Sequence, residues 1–245
     1  MPLGPQSKAN PLIPRLRMFT IDPKDMQEAK RFLEESIKAL DNLLKMGIEG
    51  IGPLKGAKAL AGAYQKDAKL TGKLEKIQAL GKTELKKNFA SGFATSLGGL
   101  ISLPVAIPAS MAITWVLQIR MVAAMAHLGG FDLDDPPVRT AIALCLLGQK
   151  GKELVESDFH QLQQKLAQGQ FYSVPKKTLL VINQQVINKL VALAGQKGFT
   201  RLGKAIPLAG GVVGGALDYY SAKETYQFAL ELFTFEQGEA PAVSP

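Results

Sequence analysis

From Asn88 to Ile119 the chain runs for 32 residues without Asp, Glu, Lys or Arg. A helical stretch this long with no charged face must be covered, by protein or by lipid. Pro104 and Pro108 break it near the middle, because proline lacks the backbone donor and clashes with the preceding turn. The arm 88–103 has 16 residues and would reach only about 24 Å at 1.5 Å per residue. That falls short of a hydrocarbon core of roughly 30 Å. The arm Pro108–Leu128 has 21 residues and is long enough. It also sets Arg120 near its centre, at a cost of about 2.5–3.5 kcal/mol on insertion scales. Three readings of this 88–128 hairpin stay open: buried in a helical bundle, laid against or dipped into one leaflet, or spanning.

The charge just before the hairpin favours a membrane surface. The net charge is +8, and it is unevenly placed. Residues 1–87 hold 17 Lys+Arg against 10 Asp+Glu, whereas 88–245 hold 12 against 11. The block 55–87 alone holds 9 against 3. Lys66, Lys69, Lys73 and Lys76 recur at helical spacing beside an apolar series that includes Leu70, Leu74 and Ile77. Lysines next to an apolar segment hold it to anionic headgroups. Nucleic acid is excluded as a partner: the block has one aromatic residue, Tyr64, and no arginine, leaving little for base stacking or bidentate guanine contacts.

Elsewhere the periodicity is helical. Asp22 and Pro23 open a segment in which Met26, Ala29, Leu33, Ile37, Leu40 and Leu44 make one apolar face, with Gly47 as its expected end. Gly56, Gly62, Gly72 and Gly81 are expected to cut residues 53–87 into short helices. Further helices are expected at 152–168, at 175–194 with Gly195 at its end, and from Pro207 to Phe235. No alternation of the kind that marks strands appears. The fold class is therefore all-α: a compact multi-helix bundle with a central hydrophobic hairpin and a glycine-rich C-terminal helix. Residues 20–235 form one domain, flanked by a flexible tail at 1–19 and a disordered tail at 236–245. The opening "MPLGPQSKANPLIPRLRMF" has no continuous apolar core, so synthesis in the cytoplasm without cleavage is the expectation.

The last helix, "IPLAGGVVGGALDYY", carries Gly210, Gly211, Gly214 and Gly215. Each costs about 1 kcal/mol against alanine, so something must offset them. On a helical wheel they fall on one side, a smooth face for close contact with another helix. Asp218 sits at the lower end of that face. Arg120 and Asp218 are each an isolated charge on an apolar or small-residue face, and the expectation is that they pair.

Catalytic motifs are absent. The glycine run does not fit G-x-G-x-x-G, "GKT" at 81–83 lacks the upstream glycine of a phosphate loop, and two histidines make a zinc cage improbable. In "FDLDD", Asp132, Asp134 and Asp135 leave metal binding or hydrolysis open, but Asp135 before Pro136 reads best as a helix N-cap. Cys145, in "AIALCLLG", reads as a small apolar residue within a helix. No cofactor is expected.

Three stretches together resemble the EcsC family of bacterial proteins. They are "SLPVAIPASMAITWVLQIRMVAAMAHLGGFDLDDPPVRTAIALCLLG" at 102–148, the basic stretch before it, and "KAIPLAGGVVGGALDYYSAKETYQFA" at 204–229. The family takes its name from a protein encoded beside an ABC transporter. The resemblance implies a mainly helical, membrane-associated accessory protein, and it carries over no catalytic residue. The expectation is a non-enzymatic protein on the cytoplasmic side of the membrane, peripheral or partly embedded. Its partners would be an anionic membrane surface or lipid and a membrane transport complex. A soluble bundle binding a hydrophobic ligand or lipid is the alternative, and a hydrolase using the acidic cluster is the second.

Overall fold

The computed structural model describes residues 23–89, 109–154, 176–202 and 209–234. Among them are eight helices: α1 (Pro23–Glu49), α2 (Ala57–Gln65), α3 (Lys73–Phe89), α4 (Ala109–Gly129), α5 (Pro136–Cys145), α6 (Gln149–Leu154), α7 (Lys176–Leu202) and α8 (Ala209–Phe233). The fold is all-α, and among the described residues the strands are those of one antiparallel hairpin with two residues each, β1 (Gly50–Ile51) and β2 (Leu54–Lys55). The residues 90–108, which hold all but the first two residues of the 88–103 arm of the expected hairpin, lie outside the described residues.

The organising element is α4. Its stretch Met121–Ala126 is completely buried, and Val116 and Ile119 are too. Helices α1, α2, α3 and α8 pack around it, with α5 at one side. A helix that is apolar on every side belongs in the centre of a bundle. Met111–Gly129 is long and apolar enough to cross a membrane, yet 72% of it is buried within the protein. Protein thus covers most of Met111–Ile119, the part of the uncharged run whose burial is described.

Around this centre the amphipathic helices turn one face inward. Leu40, Leu43, Leu44 and Ile48 of α1 are buried, while Met26, at the start of the same apolar face, is exposed. From α3 come Ile77, Leu80 and Leu85, and from α8 Phe228, Ala229, Leu232 and Phe233. Phe131, which follows α4, meets Phe233 edge-to-face with ring centroids 5.2 Å apart, an arrangement that the ring quadrupoles favour.

Gly47 does not end α1, as the sequence suggested; the helix continues to Glu49. A β-carbon at Gly47 would overlap Ile119 of α4, so this glycine is what lets the two helices touch. Gly81 does the same for α3 against Tyr226 of α8. The helix stops instead at Gly50, whose φ of 96° lies in the left-handed region. The tight hairpin follows at once, with Gly50 paired to Lys55 and Ile51 to Leu54. A hairpin this short offers no run of alternating residues, which is why the sequence pattern does not reveal it. Gly195 likewise lies within α7, which runs to Leu202.

These contacts predict opposite effects for two chemically identical changes. Gly47→Ala should lower unfolding free energy by about 1–3 kcal/mol, because overpacking outweighs the gain in helix propensity. Gly62→Ala, where an added methyl meets nothing within 4 Å, should raise it by about 0.5–1 kcal/mol. Urea denaturation of the two variants checks the pair.

Candidate functional site

Arg120 is the one Asp, Glu, Lys or Arg residue on α4, and its side chain is only 13% exposed. Its Nη1 donates to Glu84 Oε2 at 2.8 Å, and its Nε donates to the backbone carbonyl of Lys55 at 2.7 Å. Glu84, on α3, is 2% exposed, and its other oxygen accepts from Lys87 Nζ at 3.1 Å. One guanidinium therefore ties together the central helix, α3 and the hairpin. Its carboxylate partner among the described residues is Glu84; the side chain of Asp218, the partner expected from sequence, and the surroundings of Gly210, Gly211, Gly214 and Gly215 lie outside the described residues. Helix α8 does pack on α4, and the described contact there includes Thr225, whose hydroxyl donates to Gln118 Oε1 at 3.2 Å. A signal for Glu84 was present in the sequence. Ile77, Leu80, Gly81, Glu84 and Leu85 follow the i, i+3, i+4, i+7, i+8 pattern of a buried stripe, so a carboxylate on it must find a cation.

The four singled-out lysines do not line one helix. The chain breaks between α2 and α3, so Lys66 caps the end of α2, Lys69 lies in the connecting turn, and Lys73 and Lys76 stand in the first turn of α3. They gather at a corner instead. The turn builds itself from its own carboxylates. Asp67 Oδ1 accepts the Lys69 N–H at 2.9 Å, an Asx turn. Glu75 Oε2 accepts the N–H groups of Thr71 at 2.9 Å and Gly72 at 3.5 Å, reaching back as the glutamate of a capping box does. The Thr71 and Gly72 amides hold the Glu75 carboxyl below its usual range.

All three acidic residues of 55–87 are thus occupied, one in the Arg120 pair and two in the turn. Among the described residues Lys66, Lys69, Lys73, Lys82 and Lys86 have no carboxylate partner. Lys76 is half-buried, and its Nζ donates to the Gln65 carbonyl at 3.0 Å. Beside it opens a pocket of about 280 Å³ lined by Gln65, Lys73, Lys76, His127 and Leu128.

The family model described as the EcsC protein family matches residues 4–235. The chain belongs to the EcsC family. No curated protein and no solved structure matches it. The match begins inside the stretch read from sequence as a tail, and it takes in the Arg120 cluster and the lysine corner alike.

In this EcsC-family chain the acidic cluster has local duties. Asp132 Oδ1 accepts the Asp134 N–H at 3.1 Å, and exposed Asp134 meets Lys58 at 3.3 Å. Asp135 occupies the N-cap position of α5, but its side chain makes no capping hydrogen bond. Pro136 and Pro137 occupy the first two positions and have no N–H to offer, which leaves the Val138 N–H as the donor for a cap, and Asp135 does not take it. Among the described residues no three His, Cys, Asp or Glu side chains are grouped to hold a metal. Cys145 is fully buried, and desolvation pushes its thiol far up, which leaves it unreactive.

Two predictions arise here. Arg120→Met and Glu84→Leu should each cost about 3–5 kcal/mol by stranding a buried charge, and the double variant should recover much of the loss. A double-mutant cycle by chemical denaturation measures the coupling. For Glu75, a lowered carboxyl value means that its support is present at neutral pH and is lost as pH falls through that lowered value. Protection factors at Thr71 and Gly72, exchange rates corrected for the intrinsic pH dependence, should fall over that acidic range in the wild type, and Glu75→Gln should show lower protection already at neutral pH.

Proposed function

We propose that this protein is a non-enzymatic helical accessory protein that docks on the anionic cytoplasmic face of a membrane. The observation that carries the reading is the corner between α2 and α3. Glu84 is turned inward to the Arg120 pair while Asp67 and Glu75 stay exposed on the turn, and nine lysines against three acids leave the block around the corner net positive. A compact group of such lysines gains about 1 kcal/mol each near an anionic bilayer, within about a Debye length. With α4 covered by its neighbours, docking is peripheral and electrostatic for this part of the chain. The family's namesake is encoded beside an ABC transporter, which extends the proposal to a transport or secretion complex as the protein partner at that surface.

For the apolar alternative the described residues offer a small space. A groove between α1, α4 and α7, lined by Leu40, Leu43, Trp115, Ile187, Leu190 and Val191, holds only about 10 Å³. That is room for one water at most.

Flotation with vesicles tests the proposal. The protein should rise with phosphatidylglycerol-containing vesicles, stay behind with pure phosphatidylcholine, and come off as salt is raised. Replacing Lys66, Lys69, Lys73 and Lys76 together by Gln should weaken binding by about two to three orders of magnitude. Equal flotation with both lipids, or none with either, overturns it.

A further inference from the structure

Resting on that membrane reading, we infer that the pocket between α3 and the end of α4 is a phosphate site, built to seat the phosphomonoester of a lipid headgroup or a free phosphate. Three donor-bearing side chains converge on it. Lys73 and Lys76 come from the first turn of α3, and His127 comes from the last turn of α4. Ammonium groups offer only donors, and an imidazole keeps at least one N–H whether neutral or charged. A tetrahedral anion with several acceptor oxygens is the ligand that such a set satisfies.

The surroundings are arranged for an anion. The Gln65 carbonyl holds the Lys76 ammonium at 3.0 Å beside the pocket, so that head group is partly positioned beforehand. The nearest carboxylates of the corner are turned to backbone N–H groups, Asp67 to Lys69 and Glu75 to Thr71 and Gly72, and neither lines the pocket. The C-terminal end of α4 would repel an anion through its free carbonyls. Here the Gly130 N–H caps the His127 carbonyl at 3.0 Å and the Phe131 N–H caps that of Ala126 at 3.1 Å.

Size and lining narrow the ligand further. The space of about 280 Å³ compares with roughly 10–15 Å³ for one water, so a phosphate with part of its ester chain fits. Half-buried Leu128 gives that chain an apolar side. No Phe, Tyr or Trp lines the pocket, so a nucleotide base would have only the His127 imidazole to stack on.

The test uses the full-length protein and vesicles matched in surface charge, carrying either phosphatidic acid or phosphatidylglycerol in phosphatidylcholine. Wild type should bind the phosphatidic acid vesicles about tenfold tighter, the scale of one charge-assisted hydrogen bond. His127→Ala and Lys76→Gln should each bring that preference down to about one. Lys66→Gln, an equal loss of charge away from the pocket, should weaken both lipids alike and keep the ratio. Inorganic phosphate, titrated by NMR, separates the two sources. Amide shifts around Lys76 and His127 that vanish in His127→Ala, without any lipid preference, assign the pocket to free phosphate. No preference and no phosphate response, with phosphatidylglycerol binding intact, overturns the site and leaves the membrane reading standing. A phosphate response without binding to any vesicle keeps the site and overturns the membrane reading.

Discussion

The structure depends on how one cation is held inside an apolar centre. Helix α4 is buried along Met121–Ala126 and again at Val116 and Ile119, so Arg120, 13% exposed, is largely withdrawn from bulk water. A guanidinium in that position costs several kcal/mol unless it is paired and hydrogen-bonded. Glu84 supplies the charge at 2.8 Å and the Lys55 carbonyl a further acceptor at 2.7 Å. Because those acceptors sit on α3 and on the hairpin, satisfying one side chain also sets where these two elements lie against α4. Hydrophobic burial alone is non-directional; this cluster gives it an orientation.

The same arrangement decides the character of the surface. Glu84 is drawn inside, and Asp67 and Glu75 are bound to the turn that joins α2 and α3. A block that holds 9 cations and 3 anions in sequence stays net positive at the surface, with Asp67 and Glu75 as its exposed carboxylates and Glu84 drawn inside to Arg120. The pocket at Lys76 and His127 lies where α3 meets the end of α4, so the packing that buries Arg120 also brings those two side chains together.

Much of the fold was legible in the residues. Period and punctuation marked the helices, and all-α followed because hydrophobic burial at a spacing of three to four residues admits little else. The start of α1 at Pro23 and the end of α4 at Gly129 were readable for the same reason. Where the reading went astray, a glycine was taken as a stop. Gly47 and Gly195 lie within helices, and Gly47 is there because Ile119 approaches too closely for a side chain. Such an approach depends on a partner about seventy residues away, which no local pattern encodes. Asp135 shows the limit at finer scale: local sequence gives its position as N-cap, but not whether its side chain makes the capping hydrogen bond, which here it does not.

For the candidate site the division is sharper. By itself the sequence determined that an uncharged run must be covered, that Arg120 within it must find an acceptor, and that the block before it is basic. These follow from desolvation and charge, which depend on residue type. Only the tertiary structure decided that the cover for α4 is protein, that the acceptor is Glu84, and that the lysines gather at a corner beside His127. Each of these depends on which helix faces which, and that is settled by packing of whole faces rather than by any residue's own chemistry.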